Sequence, residues 1–197
     1  MRSGFLRLAL PALLLWAFPA SAQPRFRTLI DESQFAAAEA NARDRLATLE
    51  RSGQAAATAA AETLNDLAEA LLRQINNLAA RPIVERAIRI EQARGAEADV
   101  PLIRSLVMFA EISDLAIDFK TLQVMVDMAL PMAEGLLKPE DRLRIDARHW
   151  RAVALFRAGE HAVAERDLKS VLADEERLFG PDSARSEERR VGKECRL

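Results

Sequence analysis

Tyrosine is absent from this 197-residue chain, cysteine occurs once, histidine twice, and aromatic residues make up only 5% of it. A core with so few rings must be built from aliphatic and small side chains. The two histidines, His149 and His161, stand 12 apart with no cysteine near. A metal site needs more converging ligands than that, so no metal or cofactor is expected. Glycine and proline number only seven and eight, which disfavours turn-dense all-β folds. A surplus of positive charge is also missing. The formal net charge is -2, and non-specific nucleic-acid binding needs a basic surface. No glycine-rich phosphate loop occurs, no Ser–His–Asp pattern in a strand–turn–helix context, and no paired-carboxylate cleft. No catalytic residue is therefore expected.

Long apolar runs are scarce, and the one at the start has a specific meaning. Met1–Ala22 reads MRSGFLRLALPALLLWAFPASA. Arg2 and Arg7 make a positive lead, Leu8–Phe18 an apolar stretch, and Ala20-Ser21-Ala22 a small-x-small cleavage site. That is the pattern of a secretory signal peptide over residues 1–22. The stretch falls short of the roughly 20 residues needed to cross a bilayer. No cysteine follows the cleavage site, so a lipoprotein anchor is not indicated. The expected mature chain begins near Gln23 and is bacterial, Sec-exported, and periplasmic or secreted, with no membrane partner after cleavage.

The other end breaks pattern. Arg185–Cys195, RSEERRVGKEC, is similar to an in-frame translation of a common short-read sequencing adapter. The expectation is that residues 185–197 are an artefact, that the natural chain continues differently beyond Ala184, and that Cys195 carries no redox meaning. The remaining sequence has no cysteine, hence neither disulfide nor thiol nucleophile. The tail holds five basic and three acidic residues. Without it the balance is -4, and without Arg2 and Arg7 as well, -6.

Alanine, leucine, arginine and glutamate dominate, which is a helical composition. Leu64, Leu67, Ala68 and Leu71 make an i, i+3, i+4, i+7 stripe. Such positions return 42 residues later, and again after 42 more. Ala68, Ala110 and Ala152 form one column; Val84, Val126 and Leu168 form another. Phe35 and Ala38 precede Asn77 and Ala80 by the same step, as Gly53 precedes Gly95 and Pro139 precedes Pro181. A period of this length marks an α-solenoid, in which one repeat cannot bury its own face.

The chain then divides into a lead segment 23–32 and helical repeats over 33–184: a partial repeat at 33–57 and full repeats at about 58–99, 100–141 and 142–183. Asp31 or Ser33 is the expected N-cap of a helix over Phe35–Arg51, with Gly53 past its end. Further helices are predicted at Thr58–Arg73, Leu78–Arg94, Leu102–Leu115, Phe119–Leu136, Leu143–Ala158 and His161–Phe179. Asn in the turn at Ile75–Asn77 suits a left-handed conformation. Pro82 falls near a first turn, whereas Pro131 is expected to kink or end its helix. Met125, Met128 and Met132 are read as core filling, with an adaptable binding surface as the alternative.

Ala68 and Ala80, 12 apart, with Leu67 and Ala87, resemble the tetratricopeptide repeat (TPR). Ala152, Gly159, Ala164 and the closing LFGPDS resemble its longer, kinesin-light-chain-like subtype. The 42-residue period fits that subtype better than the basic repeat of roughly 34 residues. The resemblance covers about residues 35–184. It implies an all-α, TPR-type solenoid of antiparallel helix pairs. Two features depart from the pattern. Ile75 and Ile117 stand where Gly159 conforms, so the first two turns are expected to be displaced. Arg148 and Arg151 replace Leu64 or Leu106 and Leu67 or Phe109, which allows a one-residue slip in the packing of that helix.

The resemblance also implies a concave groove lined by the first helix of each pair. By register this gives Asn65, Glu69, Leu72 and Arg73, then Val107, Glu111 and Asp114, then His149, Val153 and Phe156. The mixture suits a protein or peptide partner. Three functions follow: an exported interaction scaffold; the recognition part of a longer enzyme, for example a caspase-like CHAT-type protease; and self-association through an apolar face near Val171, Leu172 and Phe179.

Overall fold

The computed structural model describes residues 25–95 and 99–180. Among them are eight helices and no strand: α1 Phe26–Asp31, α2 Phe35–Arg51, α3 Thr58–Arg73, α4 Asn77–Ala93, α5 Val100–Leu115, α6 Phe119–Leu136, α7 Arg142–Arg157 and α8 His161–Phe179. Each helix packs on the next, and α3 also touches α5 as α5 touches α7. The odd-numbered helices thus form one layer. The fold is an all-α solenoid of helix pairs. The boundaries proposed for the signal peptide and the C-terminal tail lie outside the described residues.

Small residues occupy the closest approaches. Ala68, Ala110 and Ala152 are buried, as are Ala38, Ala80 and Ala164. An alanine side chain lets two backbones come within the shorter helix–helix distances. Around these contacts lie larger aliphatic groups. Leu64, Leu106 and Ile145 are fully buried, each contributing about 2 kcal/mol of apolar burial.

The turns between paired helices explain themselves by hydrogen bonding. At the first such turn Asn76 N–H donates to the Leu71 carbonyl at 2.9 Å and Ile75 N–H to that of Leu72 at 2.9 Å. Asp118 and Ile117 repeat this on Ser113 and Asp114, and Glu160 and Gly159 on Leu155 and Phe156. This 6→1 plus 5→2 pattern satisfies the last carbonyls of a helix and demands a left-handed residue. Ser33, Ile75, Ile117 and Gly159 fill that place, at φ of 58°, 60°, 60° and 89°. The turns at Ile75 and Ile117 are therefore not displaced; isoleucine accepts the conformation the backbone bonds require. Nor is an asparagine the left-handed residue. Asn76 instead caps α4, its side chain accepting from Ala79 N–H at 3.4 Å, and Asp118 caps α6 through Thr121 N–H at 3.2 Å.

Several other expectations need correction. The lead segment contains α1, whose Phe26 and Leu29 are buried in the core. Neither Asp31 nor Ser33 caps α2; Gln34 holds that position without a side-chain bond, because Ser33 is taken by the left-handed turn. Of the two effects expected of Pro131, the ending of the helix does not occur: α6 spans Phe119–Leu136, the range read from the sequence, with Ala129 and Ala133 buried on either side of the proline. Tertiary packing outweighs the one hydrogen bond that proline removes. Met125, Met128 and Met132, by contrast, are half-buried against the core, in keeping with their reading as core filling. Val171 is buried rather than exposed, while α8 turns Glu165, Arg166, Lys169 and Arg177 to solvent.

Arg148 and Arg151 keep register without a slip. Arg148 meets Asp174 at 2.6 Å and Ser170 at 2.8 Å; Arg151 meets Asp167 at 2.5 Å. Asp167, Ser170 and Asp174 stand 42 residues after Met125, Met128 and Met132. One helix pair joins through leucine, phenylalanine and methionine, and the next joins at the same positions through arginine and aspartate.

Two outcomes follow from these contacts. Ile75 is 85% and Ile117 74% exposed, so little packing offsets a left-handed strain of roughly 1–2 kcal/mol for a residue with a Cβ. Ile75→Gly and Ile117→Gly should each raise stability by about 0.5–1 kcal/mol, after subtracting glycine's extra chain entropy. A lower unfolding midpoint in urea for both would refute the strain. Second, the Arg148 hydrogen bond outweighs the burial that opposes it and, with Arg177, holds the Asp174 carboxyl below the ordinary carboxylate range. A depressed folded pKa stabilises above the unfolded value and loses that stabilisation as pH falls through the folded one. Asp174→Asn should therefore cost about 1 kcal/mol near neutral pH and flatten the acid side of the stability profile. An acid side identical to that of the unsubstituted chain would rule this out.

Candidate functional site

The inner layer presents side chains in columns one repeat apart. Arg27, Glu69, Glu111 and Val153 form one column; Leu72, Asp114 and Phe156 form another. Helical spacing puts these columns on the same face of α1, α3, α5 and α7. They enclose a cavity of about 810 Å³. Its floor is apolar: Leu72 from α3, Val107 and Met108 from α5, and Trp150, Val153 and Phe156 from α7. Leu168, Val171 and Leu172 of α8 form a side wall.

Charges ring this floor, tied to one another. Glu69 accepts from Arg27 at 3.0 Å and from Arg104 at 2.6 Å. Arg104 reaches on to Asp66 at 2.8 Å, and Arg45 meets the other oxygen of Asp66 at 2.7 Å. Burial pushes the Glu69 carboxyl up, but Arg104 and Arg27 outweigh it and hold the group below the usual carboxylate range. Asp114 takes a two-pronged grip from Arg157, at 2.7 and 3.0 Å. The same guanidinium lies over the Phe119 ring at 5.0 Å. The histidines stand beside aromatic rings, His149 with Trp150 at 5.2 Å and His161 with Phe156 at 4.9 Å between centroids. No group of three or more His, Cys, Asp or Glu among the described residues is placed to hold a metal ion.

Of the ten residues that register assigned to the groove, Glu69, Leu72, Arg73, Val107, Glu111, Asp114, His149, Val153 and Phe156 line this cavity. Asn65 does not. It is fully buried, donating to the Pro101 carbonyl at 2.9 Å and accepting from Ser105 Oγ at 2.7 Å. It links α3 to α5 from inside. The polar partner Ser105, 40 residues on, was the sequence signal for that role. Sequence reasoning missed Arg27, Arg104, Trp150 and the whole α8 wall. Arg27 was findable, since it stands one repeat before Glu69. The wall was not, because it depends on how the last helix pair is oriented.

No protein-family model and no curated protein matches the sequence. Solved structures do match. The crystal structure of kinesin light chain TPR-like repeats from Podosopora anserina aligns with a TM-score of 0.63 at 14% identity, covering 83% of this chain and 78% of that one. A variant of the same protein aligns with equal score and identity, covering 77% of its own chain. The chain has a TPR-like fold. At this identity the likeness extends to architecture alone, and the TPR-like arrangement accounts for the groove as the face of the inner helices. Among the described residues, no helix is long and apolar enough to cross a membrane.

The role of Asn65 is testable inside this TPR-like frame. Asn65→Ala removes both bonds of the buried amide, while Ser105 Oγ still donates to the Pro101 carbonyl at 3.0 Å, so it should lower stability by about 1 kcal/mol and leave the groove lining in place. A change below a few tenths in urea unfolding would show that water or a local shift replaces the amide.

Proposed function

We propose that this chain is an exported interaction scaffold that holds a protein or peptide segment in its concave groove and has no catalysis of its own. TPR-like folds commonly mediate protein–protein interaction. The observation that carries the reading is the cavity of about 810 Å³ with an apolar floor and a polar rim. That volume has room for several side chains of a docked segment, being in the range of roughly 300–1,000 Å³ typical of small-molecule pockets. Export rests on the charged lead, apolar stretch and cleavage pattern of residues 1–22. The recognition part of a longer enzyme is the second reading, motivated by the adapter-like string at Arg185–Cys195. The intact gene, read through past Ala184, decides between the two.

A photo-crosslinking amino acid placed at Phe156, in the groove, is compared with one at Val124, exposed on α6. In the exporting bacterium the Phe156 position should trap a discrete polypeptide and the Val124 position none. The recovered chain should begin at Gln23. Equal trapping at both positions would defeat the groove assignment, and a retained Met1 would defeat export.

A further inference from the structure

We infer that the groove selects an apolar, charge-balanced polypeptide segment, anchored by side chains that fill the space between Met108, Trp150 and Phe156, and draws no affinity from charges on that segment. The inference rests on the groove being the docking site proposed above and names the class of segment it takes.

The argument starts from the state of the lining charges. A free charge in a cleft focuses its field and draws an opposite charge from solution. A closed ion pair presents only a dipole, whose field falls off faster. In this groove the pairs are closed within the chain. Glu69 is held between Arg27 and Arg104. Asp114 is held by Arg157. Glu165 and Lys169 meet at 2.6 Å, and Arg142 and Asp146 at 4.0 Å. Asp141 is engaged as the N-cap of α7, accepting from Leu143 N–H at 2.9 Å. Glu111 is also partnered. Among the described residues, Arg73 at the rim is the lining charge with neither ion pair nor hydrogen bond. A ligand carboxylate or ammonium entering this groove must therefore displace a partner of similar strength, and gains little.

The apolar floor is not compensated in that way. Leu72, Val107, Met108, Trp150 and Phe156 come from three different helices and face one space. Methionine adapts to varied shapes, and aromatic residues supply large contact areas at low entropic cost. Affinity then comes from burying ligand side chains against these groups, and it is weakly sensitive to ionic strength.

The test uses the full purified chain and short fluorescent peptides of three classes: neutral with leucine and phenylalanine anchors, acidic, and basic. Binding is followed by anisotropy and by emission of Trp150; the second tryptophan, Trp16, lies in the apolar lead, so a Trp16→Phe background isolates the signal. The neutral class should bind about tenfold tighter than either charged class, with Kd changing less than about threefold between about 50 and 500 mM salt. Its binding should shift Trp150 emission to the blue. Leu72→Ser and Phe156→Ser should weaken it, and the salt series on the otherwise native chain decides the matter even where a substitution disturbs folding. A charged class that binds best, with Kd rising steeply in salt, overturns this inference while leaving the groove reading intact. Silence from all three classes, with Trp150 unmoved, overturns the groove reading and this inference together.

Discussion

Everything in this solenoid depends on helices approaching closely at small residues. Ala38, Ala80 and Ala164 on the outer helices and Ala68, Ala110 and Ala152 on the inner ones have essentially no exposed surface. With larger side chains there, the helices would stand apart and the columns of leucine and isoleucine beside them would no longer close. Overpacking of that kind costs about 1–3 kcal/mol per site. One repeat alone would leave such a face in water, so the fold exists only as an array.

The same repetition places charges where they cancel. Arg27 and Glu69 stand one repeat apart, and Asp114 and Arg157 nearly so. Stacked helices bring like columns into contact, so an opposite charge one step away forms a stitch between repeats. Such stitches contribute modestly to stability when they are exposed. Their larger effect is on the groove, which they leave with an apolar floor and little net field. The last helix pair shows how tolerant the frame is. Asp167, Ser170 and Asp174 replace a run of methionines and are met by Arg148 and Arg151.

Helix positions were legible because the spacing of apolar residues is a local, periodic signal, and the 42-residue step aligned it across repeats. Most of the groove was legible for the same reason: columns facing inward in one repeat face inward in the next. Failures occurred where a local preference lost to a bonded network. Ile75 and Ile117 have no preference for left-handed backbone, yet two hydrogen bonds per turn impose it. The polar Asn65, read as groove-facing, turns inward, where it donates to the Pro101 carbonyl and accepts from Ser105 Oγ.

By itself, then, the sequence determined the all-α class, the period, the spans of α2 to α8 and the small-residue contacts, since each is written in residue spacing. Only the tertiary structure decided the pairing of charges, the inward turn of Asn65, the joining of α1 to the core and the use of α8 as a wall. Those depend on which groups meet across tens of residues. Spacing along one helix carries no record of such a meeting.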